Sequence, residues 1–162
     1  MSKAVKKIVI VGGGTAGWLT AAIVAAQHKT DDNNGLQIVL VESSDIPTVG
    51  VGEGTWPTMK NTLQQIGLKE SEVFARCHAG FKQGGKFVDW VHGNGDFYYH
   101  PFTVPLGYGR IDLAPYVDKI ENYAVESNFQ HRVCEAGLAP RSMAEAEYKG
   151  QCNYAYHLDA GE

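Results

Sequence analysis

Six consecutive residues, Gly12-Gly13-Gly14-Thr15-Ala16-Gly17, carry the clearest chemical signal in this 162-residue sequence. Gly12, Gly14 and Gly17 match the spacing Gly-x-Gly-x-x-Gly, and each glycine has its own physical reason. The first permits a tight turn out of a strand. The second lets a phosphate come against bare backbone, and the third lets a helix pack close to a strand. Gly13 completes the turn, and Thr15 and Ala16 open the helix, whose free N–H groups and dipole would face a pyrophosphate. Glu42 stands 25 residues beyond Gly17, where a carboxylate can accept hydrogen bonds from both hydroxyls of an adenosine ribose. An acid there disfavours a ribose 2′-phosphate and so NADP; the turn alone does not choose between FAD and NAD.

Other chemistries find little support. The six histidines, His28, His78, His92, His100, His131 and His157, show neither HxxxH nor HExxH spacing, so no metal site is expected. Cys77, Cys134 and Cys152 are odd in number and lack a CxxC pair, which fits unpaired thiols in a reducing compartment. The net charge of −4 and the absence of a basic stripe argue against a nucleic-acid partner. No apolar run approaches the roughly 18 residues that a membrane span needs. The basic start, Met1 to Lys7, leads only into Ile8-Val9-Ile10-Val11, too short for a signal-peptide core, so the expected location is cytoplasmic.

The glycine turn needs a strand before it and a helix after it. Lys7 to Val11 reads as a buried parallel strand, β-branched and stopped by glycine. Thr15 to His28 is alanine-rich and apolar in the manner of a helix lying on a sheet. Lys29 to Gly35 is a polar loop, and Leu36 to Val41 is a second strand ending at Glu42. Strand, glycine turn, helix and strand make a βαβ unit, so the expected fold class is α/β with a Rossmann-type nucleotide-binding unit over 1–45. With 44% hydrophobic and 20% charged residues the chain has a globular composition.

Beyond Glu42 the texture changes. Val49-Gly50-Val51-Gly52-Glu53-Gly54-Thr55 reads as a second glycine-dense loop, and Pro57 suits the start of a helix over Thr58 to Ile66. Gly80 to Val91 alternates as a strand broken at Gly84-Gly85. Asp96 to Pro105 is aromatic and extended, Leu113 to Gln130 has helical spacing, and Arg141 to Lys149 reads as a short helix. Tyr154 to Leu158 is a final strand. Asp159 and Glu162 then have capping-box spacing, as if a helix begins where the sequence stops. Trp90, Phe97, Tyr98, Tyr99 and Phe102 form an aromatic-rich set; ordinary sheet packing explains such a set more often than stacking on an aromatic substrate.

Four segments standing in order carry a resemblance. Gly-Gly-Gly-Thr-Ala-Gly-Trp at 12–18, Val-Gly-Val-Gly-Glu-Gly-Thr at 49–55, Gly-Phe-Lys at 80–82 with Lys86-Phe87-Val88-Asp89-Trp90, and Tyr154-Ala155-Tyr156-His157-Leu158-Asp159 resemble the N-terminal third of flavin-dependent tryptophan halogenases. The resemblance implies FAD, used as FADH2, which with oxygen and chloride or bromide yields hypohalous acid. That acid passes through an internal tunnel to a lysine beside an electron-rich aromatic such as tryptophan. Lys82 matches this lysine by its place in Gly-Phe-Lys, and the 49–55 loop, with Val51, Glu53 and Gly54, matches the strap between flavin and substrate sites. The whole chain, 1–162, would then be part of one FAD-binding domain, with 46–162 holding the strap and the start of the substrate side. A separate flavin reductase is implied as partner, and a homodimer is compatible. Gly54 replaces the alanine of better-known members, Trp56 replaces a smaller residue, and Gly84-Gly85 follows Lys82. The family's Trp-x-Trp-x-Ile-Pro segment and catalytic glutamate do not occur in these 162 residues, so the chain alone is expected to be inactive. The rival readings are an FAD-dependent aromatic hydroxylase, which would not need Lys82, and a non-catalytic nucleotide-binding fragment.

Overall fold

The computed structural model describes residues 4–28, 35–46, 51–141, 152–159 and 161. They fall into two compact units, Met1–Gly80 with His157–Glu162, and Phe81–Tyr156.

In the first unit β1 (Lys7–Val11) pairs in parallel with β2 (Gln37–Val41), Lys7 opposite Gln37 through Val11 opposite Val41. A parallel pair needs a crossover, and α1 (Thr15–His28) supplies it. Two further helices follow. Pro57 caps α2 (Thr58–Gln65), which buries Leu63 and stops where Gly67 takes a left-handed φ of 82°. Helix α3 (Glu70–Arg76) buries Val73 and was not foreshadowed by any strong apolar period. Its ends are matched to the helix dipole, with Glu70 and Glu72 in the first turn and Arg76 in the last. The segment read as an irregular glycine loop contains a strand, β3 (Gly52–Gly54). It pairs antiparallel with the end of β7 (Ala155–Asp159), Gly52 opposite Asp159 and Gly54 opposite His157. Glycine's weak strand preference is overridden here by a partner more than a hundred residues away, which local reading does not see.

The second unit is built on a hairpin. β4 (Gly80–Lys82) enters it, and β5 (Gly84–Val88) pairs antiparallel with β6 (Phe97–Pro101). The interruption falls at Gln83, and Gly84-Gly85 belong to β5, opposite Pro101 and His100. A Cβ built on Gly84 would lie 2.5 Å from the His100 carbonyl oxygen, so close approach of the partner strand explains the glycine. The expected single helix over Leu113 to Gln130 is three short ones: α4 (Ala114–Val117), α5 (Tyr123–Glu126) and the start of α6 (Gln130–Glu135). Asn122 breaks the run with a left-handed φ of 56°. The core of this unit is Cys152, Tyr154, Ala155 and Tyr156, with Phe81 set edge-on against Tyr154 at 5.1 Å between centroids. From residue 142 onward the helix expected over Arg141 to Lys149 lies outside the described residues, as does Glu162 of the capping pair. Asp159 closes β7, and its carboxylate accepts from the Gly161 N–H at 3.0 Å.

Candidate functional site

The turn between β1 and α1 is shaped by its glycines in four different ways. Gly12 has φ of 115°, which a side chain rarely tolerates, and its N–H donates to the Val41 carbonyl at 2.8 Å. A Cβ on Gly17 would stand 1.9 Å from the Gly12 carbonyl oxygen, so α1 can lie this close to the turn only with glycine there. Among the described residues a Cβ on Gly14 would meet no atom within 4 Å beyond its chain neighbours, so they leave the space beside it open. Gly13, a free position in the usual fingerprint, is the position on which Glu42 leans. Its Cβ would fall 1.6 Å from Glu42 Oε2 and 2.5 Å from Glu42 Cβ. The carboxylate at the end of β2 therefore lies directly over the turn.

The N-terminus of α1 is electrically suited to an anion. Trp18 N–H donates to the Gly14 carbonyl at 3.1 Å, so the N–H groups of Thr15, Ala16 and Gly17 precede the helical ladder. No acidic residue stands in the first turn of α1. Thr20, one turn on, hydrogen-bonds back to the Ala16 carbonyl at 2.6 Å. Among the described residues, open backbone at Gly14, N–H groups that precede the helical ladder and a carboxylate beside them make a donor set of the kind a dinucleotide needs: amides for a pyrophosphate, acid for a ribose.

The same unit carries an open groove of about 470 Å³ along β3 and β7, lined by Val51, Gly52, Glu53, His78, Gly80, His157, Leu158 and Asp159. Glu53, half-buried, pairs with Leu158, while Val51 and Gly54 are exposed. Val49 and Gly50 of this segment lie outside the described residues.

Lys82 belongs to the second unit, at the end of β4. It is half-buried, and its Nζ stands 5.7 Å from the centroid of Phe102. The aromatic set separates by strand parity rather than forming one platform. Tyr98 stacks on Phe87 at 5.0 Å and Trp90 meets Phe87 edge-on, whereas Phe97 and Tyr99 pack against each other. Lys86 lies over Phe97 at 4.0 Å and pairs with Glu135 at 2.7 Å, and the Tyr99 hydroxyl also donates to Glu135. The hydrogen bond to Lys86 holds the Glu135 carboxyl below its usual range, and the same bond pushes Lys86 up. Burial, first, raises Tyr99. This cluster ties α6 to the hairpin. Its partners are 49 residues apart, and no sequence pattern pointed to it.

Cys77, Cys134 and Cys152 are unpaired, and burial raises the thiols of Cys134 and Cys152. Among the described residues no group of three or more His, Cys, Asp or Glu side chains could hold a metal ion. Among them, too, no helix is long and apolar enough to cross a membrane.

A parallel βαβ unit, glycine turn and overlying acid define a dinucleotide-binding α/β protein. Comparison with known proteins narrows the class: the family profile for tryptophan halogenases matches residues 7–162, and the chain belongs to that family. It is 34% identical over 177 residues to the 7-chloro-L-tryptophan 6-halogenase KtzR of Kutzneria sp. (strain 744), covering 94% of this chain and 33% of that protein. To the tryptophan 7-halogenase RebH of Lentzea aerocolonigenes it is 31% identical over 181 residues, covering 99% and 33%. The crystal structure of a tryptophan halogenase from Shewanella frigidimarina superposes with a TM-score of 0.84 at 42% identity, over 98% of this chain and 32% of that one. The chain thus spans about a third of the length of the relatives it matches.

Proposed function

We propose that this chain forms the cofactor-binding portion of a flavin-dependent halogenase acting on tryptophan or a similar electron-rich aromatic, with chloride or bromide as co-substrate. The observation that carries the reading is the open backbone at Gly14, set at the mouth of α1 with Glu42 beside it, in a chain matched to the family over nearly its whole length. In this role the amides of the 12–17 turn bind the pyrophosphate of FAD and Glu42 binds the ribose. Val51, Glu53 and Gly54 form the strap beside the flavin. FADH2, when bound, would give two electrons to oxygen, which takes two more from the halide, so that one oxygen atom ends in hypohalous acid and the other in water.

Lys82 is the group that directs the halogen. Its amine can hold hypohalous acid by a hydrogen bond. It can also form an N–halogen bond, releasing the hydroxyl of the acid with an amine proton as water. The halogen then passes without its bonding electrons to the aromatic carbon, the ring proton leaves, and the amine is restored. On this reading reduced flavin arrives from a separate reductase in the cytoplasm, and the 162-residue chain alone binds flavin without turning over.

The test has two parts. The chain itself is titrated with FAD and should bind it. The full-length protein, given FADH2, oxygen and bromide, should release a brominated aromatic, and Lys82→Ala should abolish this while leaving flavin binding intact. A hydroxylated product retained in Lys82→Ala would establish a monooxygenase instead, and detectable halogenation by the 162-residue chain would refute its inactivity alone.

A further inference from the structure

After β6 ends at Pro101 the chain leaves the hairpin, yet the next two residues keep all their backbone polar groups paired. Phe102 N–H donates to the Gln83 carbonyl at 3.0 Å, and Phe102 C=O accepts from Asn153 Nδ2 at 3.2 Å. Thr103 N–H donates to Gln130 Oε1 at 2.7 Å, and Thr103 C=O accepts from the Asn128 amide. Three side-chain amides thus take over where strand partners stop. They are tied to one another and to neighbouring backbone. Gln130 N–H donates to Asn128 Oδ1 at 2.9 Å, and Gln130 Nε2 donates to the Asn153 carbonyl at 2.7 Å and to Gln83 Oε1 at 3.4 Å. Asn153 N–H donates to Thr103 Oγ1 at 2.8 Å.

Gln130 is 0% exposed and Asn128 5%. Apolar side chains could fill such a space without directional demands, whereas a satisfied amide network specifies one arrangement of what it holds. What it holds is informative. Phe102 is the ring facing Lys82 Nζ, and Gln83 is the residue next to Lys82, anchored in turn by donating its Nε2 to the Leu138 carbonyl at 2.8 Å. The network therefore grips both the lysine's chain neighbour and the backbone that carries the ring the lysine approaches, all inside the Phe81–Tyr156 unit.

We propose that the Asn128–Gln130–Asn153 amide clamp positions Lys82 for halogen delivery, so that Gln130 at its centre is a determinant of which ring position is attacked. The proposal rests on the reading of Lys82 as the halogen-directing residue. It assigns Gln130 no contact with substrate.

The experiment uses the full-length enzyme with FADH2, oxygen, bromide and tryptophan as probe. Gln130→Leu keeps the volume and removes the amide. Gln130→Glu keeps the acceptor for Thr103 N–H. Asn153→Ala removes the donor to Phe102 from an exposed residue, and so serves if Gln130→Leu does not fold. Lys82→Ala is the reference. Flavin affinity, KM, kcat, the share of flavin oxidation ending in brominated product, and the ratio of ring isomers are measured on folded protein. Gln130→Leu should lower the coupled share and kcat at least tenfold and mix the isomers, with flavin affinity unchanged; Gln130→Glu should recover part of both. Folded Gln130→Leu and Asn153→Ala with the parent's coupling and isomer ratio, beside an inactive Lys82→Ala, would overturn the clamp while leaving the lysine reading intact. Undiminished halogenation by Lys82→Ala would instead remove the lysine reading, and the clamp's role with it.

Discussion

Replacing Gly14 by alanine separates binding from folding more cleanly than any other change in the glycine turn. Among the described residues the new methyl meets no atom within 4 Å beyond its chain neighbours, and Gly14 is not among the positive-φ glycines, so these residues offer the fold nothing to resist. Alanine at a compatible glycine site adds about 0.4–1 kcal/mol by restricting the unfolded chain. In the proposed binding mode the methyl occupies the space through which a phosphate comes to the helix N–H groups. Loss of one hydrogen bond to a charged group is worth about 1.5–3 kcal/mol, and at 1.4 kcal/mol per decade this weakens FAD binding roughly 10- to 150-fold. Gly17→Ala supplies the contrast. Its methyl falls 1.9 Å from the Gly12 carbonyl oxygen, so backbone must move. Overpacking of this kind costs about 1–3 kcal/mol, offset by about 1 kcal/mol of helix propensity. At the upper end the net loss of about 2 kcal/mol lowers Tm by about 4–8 °C for a chain of this size. Flavin titration by fluorescence quenching and thermal melts on both variants decide the matter. FAD affinity in Gly14→Ala within twofold of the parent, at a Tm no lower than the parent's, would refute the pyrophosphate cradle.

Two further outcomes follow from contacts at the turn and on α6. Gly13→Ala should destabilise the parent more than it destabilises a Glu42→Gly background, because the clash is with the Glu42 side chain; a double-mutant cycle on Tm or urea midpoints should show coupling above about 0.5 kcal/mol. Glu135 is held below its usual range, so its contribution is present above the unfolded carboxylate value and is lost as pH falls through the lower folded value. Lys86 is raised, so its contribution persists below the ordinary lysine value and is lost only as pH climbs through the higher folded one. Glu135→Gln should therefore flatten the acid limb of Tm against pH while leaving the neutral region level; an unchanged acid slope would show that the pair does not contribute to stability.

The nucleotide-binding half of the fold was legible because its signals are local. β1 is a short β-branched run, α1 an apolar helical stretch, and β2 another β-branched run; each lies within two residues of the bounds read from sequence. Glycine density at 52–54 reads as irregular from sequence because β3 exists through its pairing with residues 157–159. The helical spacing over 113–130 was real in places, but it does not carry a left-handed Asn122. At Gly84-Gly85 the chemistry of the residue type was right and the inference wrong: glycine there admits a neighbouring carbonyl and does not end the strand.

The candidate functional residues divide along the same line. Gly12, Gly14 and Gly17 advertise their roles because a missing side chain is itself the message, readable at fixed spacing. Gly13 was legible only as part of a run; the reason for it is the Glu42 side chain, 29 positions further on, which turns an unconstrained motif position into a constrained one. The amide clamp is more hidden still. Asn128, Gln130 and Asn153 are ordinary polar residues at no motif spacing, and their meaning comes from converging on Phe102 and Thr103 across 25 to 51 positions. Backbone-coded sites can be read from one sequence, whereas side-chain networks that aim another residue need the fold first. On the roles proposed above, substitutions in the clamp should act on where the halogen goes, and substitutions in the glycine turn on whether flavin stays bound.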